Sequence, residues 1–317
     1  LYVTIEILVT CIHMKNTYSV KDDFVRMRLD RWIRKNVSHL PQSLIEKNIR
    51  KGNVKINNIK KKSSYKLQKD DKITLYNFSF LPEKHKVKTS LYIPSKKDLS
   101  TSTQLIIENN ENFVVINKPP GIAVQSGTKS RRNLIDIIRK TSEFNNSIPF
   151  TVHRIDKETT GILIVAKNRK YAQIFTSLFR LRKIKKTYLG LILGTLDKNK
   201  GKLEDMLIHY EGDKKIISKA ITYYEVIDTN NKYSLVELNP YTGRKHQLRK
   251  QLLIRRNPII GDNKYKISKN TYNKIDRLML HAYKISFSID NIKYSFLADI
   301  PKDFISSLKK KYLKIPS

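Results

Sequence analysis

The sequence predicts an α+β fold with a mixed sheet, arranged as a small N-terminal domain followed by a larger one. Three observations carry this. Strand patterns come in groups with helices inserted between them, without the regular alternation that builds a parallel sheet. Residues 82–103 are rich in Lys, Ser, Thr and Pro and lack periodicity, which is the composition of a linker. The 317 residues suffice for one large domain and one small one.

Met14-Lys15 reads as a natural chain start, so residues 1–14 are expected to be an extension and 15–81 the first domain. From Asp22 the pattern turns helical: Phe24, Val25, Leu29, Trp32 and Ile33 form an apolar stripe, and Arg26, Arg28, Arg31, Arg34 and Lys35 take the other face. Pro41 opens a second helix with Leu44, Ile45 and Ile49 inward, and Gly52 closes it. Residues 54–56 and 72–76 alternate as strands, and Asn57-Asn58 supplies a turn. Arg50, Lys51, Asn53 and Lys55 fall near one rim of this unit. Such a charged face is either solvated surface or a place where cations converge on a ligand.

Beyond the linker, 104–317 read as one domain. Residues 105–108 and 112–117 are strands joined by Asn109-Asn110, Lys118-Pro119-Pro120-Gly121 forces a rigid turn, and 133–140 is a short helix. Next comes His153-Arg154-Ile155-Asp156-Lys157-Glu158-Thr159-Thr160-Gly161, followed by an apolar run over 162–166 that reads as a buried strand. Asp156 therefore lies on a loop at a strand entrance, between Arg154 and Lys157. Neighbouring cations favour the charged form of a carboxylate, which suits a nucleophile or base acting on an anionic substrate and equally fits a plain surface ion pair.

Residues 169–183 form an amphipathic helix with Arg180, Arg182 and Lys183 at its end, where cations suit the helix dipole. Residues 185–192 are a strong strand in which Tyr188 fits an ordinary core aromatic, and 216–227 and 233–238 continue the strands. In Tyr241-Thr242-Gly243-Arg244-Lys245-His246-Gln247-Leu248-Arg249-Lys250, Gly243 breaks the strand and a helix follows, whose free amides suit a phosphate. A solvated basic face is the alternative. Residues 258–262 turn, Leu280-His281-Ala282 begins a strand, 293–298 is another, and 302–310 is an amphipathic helix.

Composition narrows the partners. Lys and Arg total 63 against 28 Asp and Glu, a net charge of +35, which points to a polyanion and to nucleic acid before membrane. Cys11 is the single cysteine, so intramolecular disulfides and cysteine metal sites are excluded. The seven histidines lack ligand spacing, and the cations beside His153 and Asp156 oppose a metal there. No apolar stretch approaches the ~18 residues needed to span a bilayer. The start of the chain carries Glu6 and lacks the basic beginning and cleavage site of a signal peptide, so a cytoplasmic protein is expected. Gly-rich phosphate loops of the Walker or Rossmann kind are missing, and no internal repeat is evident.

Two resemblances join these observations. Arg28-Leu29-Asp30, Leu40-Pro41-Gln42-Ser43-Leu44-Ile45 and Gly52-Asn53-Val54-Lys55-Ile56-Asn57 resemble the alpha-L RNA-binding domain of ribosomal and tRNA-related proteins, with Asn58 and Asp70-Asp71 standing where that family has Gly and Gly-Asp. Lys118-Pro119-Pro120-Gly121, His153-Arg154-Ile155-Asp156 with Thr160-Gly161, Lys186-Thr187-Tyr188, and Thr242 to Arg249 resemble, in order, the motifs of the RluA-type pseudouridine synthases. Ile259-Ile260-Gly261-Asp262 and Leu280-His281-Ala282 match further signatures. The departures, Ile155, Thr160 and Lys245 for the usual Leu, Ser and Thr, leave the chemical groups in place. With the alpha-L segment in front, the chain looks most like the RluC branch.

The resemblance implies a mixed, largely antiparallel sheet flanked by helices, and isomerisation of uridine to pseudouridine in large-subunit ribosomal RNA without cofactor or metal, by a monomeric chain with no protein partner implied. It implies Asp156 as the catalytic carboxylate, Tyr188 as the aromatic stacking on the base, and Arg249 as the partner of the aspartate. Arg154 would fill the gap left by the flipped base. Arg244, His246 and Lys118, with Arg28, Arg31, Arg50, Lys51 and Lys55 in the first domain, are the further RNA-binding candidates, and Lys118 and Lys167 are also readable as structural. A non-enzymatic assembly factor would explain the charge but leave Asp156, Tyr188 and Arg249 without a role, and a methyltransferase would need a Gly-rich loop that is lacking.

Overall fold

The computed structural model describes residues 15–37, 40–76, 94–95, 98, 104–126, 132–144, 148–211, 214–267 and 277–316. The expected extension and nearly all of the expected linker lie outside these residues. The chain divides into two compact units, 1–88 and 89–317.

The N-terminal unit holds strands β1 (Lys15–Ser19), β2 (Val54–Ile56) and β3 (Lys72–Tyr76) in the antiparallel order β1-β3-β2, with helices α1 (Leu29–Asn36) and α2 (Gln42–Lys51). Strand β1 has no counterpart among the elements expected from the sequence, and the first helix starts later than its apolar stripe suggests. Asp22–Phe24 is only a single 3-10 turn, and Arg26 adopts φ 65°, ending it. The reason is a competing pairing: Arg26 N–H donates to Leu67 O at 2.7 Å and Leu29 N–H to Tyr65 O at 2.9 Å, tying this stretch to 65–67. Gly52 closes α2 at φ 82°, and Asn57-Asn58 turn at φ 49° and 64°, as their residue types favour. Leu29, Trp32, Ile33, Ile45, Ile49 and Ile73 fill the core.

The larger unit is built on one mixed sheet. Its strands are β4 (Ile106–Asn109), β5 (Phe113–Lys118), β6 (Phe150–Thr151), β7 (Thr160–Ala166), β8 (Lys185–Leu193), β9 (Lys200–Glu211), β10 (Lys214–Thr229), β11 (Tyr233–Pro240), β12 (Leu280–Ile289) and β13 (Ile292–Leu297). The order is β4-β5-β7-β12-β8-β11-β10-β9, with β13 beside β12 and β6 beside β7. Every pairing is antiparallel except β7 with β12, where Thr160 and Gly161 align with His281 and Ala282.

The continuous apolar run of β7 follows from its central place. Ile162, Ile164 and Ala166 pack on one face with Phe175 of α4 (Arg169–Arg180). Leu163 and Val165 pack on the other with Leu134 and Ile138 of α3 (Leu134–Ile138). Both faces are covered, so alternation would leave polar groups buried. Helices α5 (Gln247–Ile254) and α6 (Lys302–Lys310) close a further core against β8, β11 and β12. Strand β9 escaped the sequence reading because only its inner residues Leu203 and Leu207 are buried, and the others are charged or exposed. No helix among the described residues is long and apolar enough to cross a membrane.

Candidate active site

The site forms where the loop before β7 meets the start of α5. Gly161 anchors the first of these. It adopts φ 104°, and a Cβ there would lie 2.2 Å from Ala282 O, so only glycine lets β7 approach β12 this closely. The neighbouring Thr160 hydroxyl lies 2.9 Å from Nδ1 of buried His281, whose Nε2 faces Ala298 O at 3.3 Å. The loop is clasped from its other side. Lys118 Nζ donates to the carbonyls of Pro119, Ile122 and Lys157 at 2.8, 3.1 and 2.9 Å, and Gly121 N–H donates to Lys157 O at 3.0 Å.

Lys118 is thus a correction to the RNA-binding expectation. Its side chain is fully buried, all three ammonium protons are used, and burial pulls the amine down to about 7 against the pull of Glu158 and Asp156. It is a structural tie. His153 is also internal to the loop: Nε2 accepts from Ile164 N–H at 2.8 Å, the ring stacks on Phe179 at 4.6 Å, and burial lowers its pKa to about 3, so it is a neutral Nδ1–H imidazole.

Between these anchors Asp156 faces a cleft of about 450 Å³, which it lines with Arg154, Tyr188, Arg244, His246 and Arg249. The volume is within the ~300–1,000 Å³ usual for small-molecule sites. Arg249 Nη1 donates to Asp156 Oδ2 at 3.2 Å, while its Nε and Nη2 both bond Asp262 at 2.7 Å. Asp262 is fully buried and also accepts the Lys264 and Tyr265 amides at 2.9 Å. Burial alone would weaken the Arg249 cation, but the bonds and charges of Asp262 and Asp156 overcome it and raise its pKa.

His246 brings Nε2 to 3.7 Å from Asp156 Oδ1, and its Nδ1 lies 2.9 Å from the Tyr265 hydroxyl. Burial lowers the His246 pKa against the pull of Asp156, with Arg249, Lys264 and Lys245 reinforcing it. Tyr188, on β8, has its phenol pushed upward by burial and by the negative charge of Asp156, so it stays protonated.

Buried polar contacts hold the 241–246 loop. Thr242 Oγ1 donates to Gln247 Oε1 at 2.7 Å, Gln247 Nε2 donates to Thr222 Oγ1 at 2.9 Å, and Thr222 Oγ1 donates to Gln251 Oε1 at 2.7 Å. The expected open amides after Gly243 are partly occupied: α5 starts only at Gln247, and the Arg244 amide donates to Gln247 Oε1 at 3.0 Å. Arg244 leans on the β9–β10 hairpin through Nε and Lys219 O at 3.1 Å, leaving the rest of its exposed guanidinium at the cleft. Arg154 is exposed at the same rim. Lys167 follows the last residue of β7, at the end opposite the Asp156 loop, and does not line the cleft.

Among the N-terminal candidates, Arg28 is largely committed. Its guanidinium makes bonds of 3.1 and 2.6 Å to the buried Asp30, which also accepts Gln42 Nε2 at 2.9 Å, so a role as a free phosphate ligand is displaced by ion pairing. Arg31, Arg50 and Lys51 are exposed, and Lys55 Nζ sits 5.2 Å from the Tyr76 ring centre. Arg50 lines a second concave surface with Lys60, Lys61 and Lys62, which the sequence reading did not single out.

Sequence reasoning missed the roles of Asp262 and Tyr265. Asp262 was visible only as a turn residue and a family signature; its charge beside an apolar Ile-Ile-Gly turn was the available clue. The arrangement is a partly exposed carboxylate held by an arginine in a cation-rimmed cleft beside a tyrosine. It suits nucleophilic attack or proton removal on a base or sugar of an anionic polymer.

Comparison with known proteins agrees. The pattern of the family described as RNA pseudouridylate synthase matches residues 112–253. The chain is 30% identical over 300 residues to the ribosomal large subunit pseudouridine synthase C of Buchnera aphidicola subsp. Baizongia pistaciae (strain Bp), covering 90% of this chain and 94% of that protein. It is 32% identical to the protein of the same name in Rickettsia conorii (strain ATCC VR-613 / Malish 7), covering 83% and 90%. Among solved structures, human RNA Pseudouridylate Synthase Domain Containing 4 superposes with a TM-score of 0.61 at 26% identity, over 69% of this chain and 97% of that one.

Proposed function

We propose, from the premise that this chain belongs to the RNA pseudouridylate synthase family, that its cleft isomerises specific uridines of large-subunit ribosomal RNA through Asp156. The chain is an RNA pseudouridine synthase, which converts uridine to pseudouridine. The reaction moves no atoms between molecules. The bond from the anomeric carbon to uracil N1 breaks, the base turns, and a bond forms from the same carbon to C5. The C5 proton leaves and N1 takes one up.

The observation that carries the assignment is the chain Asp262–Arg249–Asp156 opening into the cleft beside Tyr188. Asp156 attacks the anomeric carbon or removes the neighbouring sugar proton. Arg249 holds and orients that carboxylate through Nη1. Tyr188 stacks on the extruded base and stands near its C5. Removing that base from its stack costs a few kcal/mol, which Arg154 offsets by occupying the vacancy. Arg244 meets the adjoining backbone, whereas His246, expected there too, turns its ring nitrogens to Asp156 and Tyr265. The alpha-L unit, 15–81, supplies a second RNA contact through Arg31, Arg50, Lys51 and Lys55. The net charge of +35 supports such a track. The enzyme acts as a cytoplasmic monomer without cofactor.

Asp156→Asn tests this. Pseudouridine mapping on large-subunit rRNA from cells lacking the protein should show one or a few missing sites, restored by wild type and not by the variant. Purified Asp156→Asn should bind RNA nearly as wild type does. Retained turnover in that variant would sink the assignment.

A further inference from the structure

We propose that Tyr265 is a positioning residue that sets the tautomer of His246, so that the imidazole presents its Nε2–H to Asp156. The inference rests on the reading of Asp156 as the catalytic carboxylate.

The geometry favours one arrangement of protons. His246 stands between two oxygens: the Tyr265 hydroxyl 2.9 Å from Nδ1 and Asp156 Oδ1 3.7 Å from Nε2. A neutral imidazole carries one N–H and one lone pair; an ionised carboxylate only accepts, whereas a phenol donates or accepts. If Nδ1 held the proton, the Nε2 lone pair would face the carboxylate. If the phenol donates to Nδ1, Nε2 carries the proton and faces Asp156 favourably. The 3.7 Å separation is longer than a hydrogen bond, a spacing that closes as substrate fills a site. With that gap closed, Arg249 serves Oδ2 and His246 serves Oδ1, so each carboxylate oxygen gains one donor and the carboxylate plane is held.

Tyr265 is itself held for this task. Its amide donates to Asp262 Oδ1 at 2.9 Å, and its ring lies 5.0 Å from the Arg249 guanidinium. The carboxylate that orients Arg249 therefore also orients the residue that orients His246. Burial raises the Tyr265 phenol against the effect of Arg249, so the hydroxyl keeps its proton. The groups facing His246 are Asp156 from the loop before β7, Arg249 from α5, Lys264 and Tyr265 from the loop after Asp262, and Lys245 from its own loop.

The test is a double-mutant cycle on the full chain, with single-turnover pseudouridine formation on an rRNA transcript measured from about pH 4.5 to about pH 8.5, a window carried below the ordinary histidine range because burial lowers the His246 pKa. Tyr265→Phe should lower the rate about tenfold near pH 8, the lower end of the worth of a hydrogen bond to a charge, with RNA affinity unchanged. The loss should shrink toward the acid end of that window, because an imidazolium carries N–H at both nitrogens. His246→Gln offers an amide N–H with no tautomer to set, so Tyr265→Phe should be silent in that background. A pH-independent loss, an equal loss in both backgrounds or no loss at all would overturn the inference. Asp156→Asn in the same assay separates the two readings. Turnover in that variant strikes the role of Asp156, whereas an inactive Asp156→Asn beside an unaffected Tyr265→Phe strikes only Tyr265.

Discussion

Arg249 carries one positive charge and serves two carboxylates, and the two are not equivalent. Asp262 is fully buried and takes the guanidinium in two 2.7 Å bonds, whereas Asp156 is partly exposed and receives a single 3.2 Å bond. The stronger pair fixes the arginine, and the weaker leaves Asp156 free to leave its partner in the proposed chemistry. Removing one member of a buried pair strands the other charge, at a cost of roughly 3–5 kcal/mol. Asp262→Asn is therefore expected to destabilise the larger unit by about that amount and to lower turnover by more than Tyr265→Phe does. Denaturant midpoints and single-turnover rates on the same preparation check both parts. Lys118 follows the same logic with neutral partners: three carbonyls replace the water that a buried ammonium gives up.

At the scale of elements, the site depends on one parallel pairing in an otherwise antiparallel sheet. β7 and β12 align only through Thr160–His281 and Gly161–Ala282, next to the Asp156 loop. Gly161→Ala would place a Cβ 2.2 Å from Ala282 O in a left-handed backbone, and backbone atoms cannot move aside as a side chain can. The expected outcome is a loss of several kcal/mol, roughly the sum of left-handed strain and a split strand pair, with turnover lost ahead of global unfolding. Thermal melts and activity measured together check this, and a fully active, equally stable Gly161→Ala would show that the strands tolerate separation.

For the molecule as a whole, pH reports how its buried histidines are used. His281 is fully buried, and burial lowers its pKa to about 4 despite the bond to Ala298 O and the nearby carboxylates. Its folded pKa lies below the ordinary value of ~6.5, so as pH falls below that value the unfolded chain takes up a proton that the native state refuses. Stability is thus intact above about pH 6.5 and declines as pH falls toward about 4, by roughly 3 kcal/mol for His281 alone. His281→Gln should make the decline between those limits shallower, the remainder coming from His153, as urea unfolding at a series of pH values would show.

Much of this was legible in one dimension, for reasons visible at particular residues. The buried run of β7, the Gly52 cap and the Asn57-Asn58 turn are local consequences of side-chain chemistry, and they lie where the sequence places them. The ordered motifs around Asp156, Tyr188 and Arg249 were readable because each is a short contiguous stretch. The delayed start of α1 was not, because the 65–67 stretch that competes for its backbone lies far along the chain. Nor was β9, whose pairing with β10 gives it order that its mixed residues do not announce.

By itself, then, the sequence determined the α+β class, the order of most elements and the basic character, and it supplied the candidate side chains of the site, since these depend on local patterning and composition. Only the tertiary structure decided which charges face each other. It turned Lys118 inward, committed Arg28 to Asp30, and set Asp262 and Tyr265 behind Arg249 and His246. Electrostatic partnership depends on distance and burial in space, and residues remote along the chain acquire both only when the sheet closes.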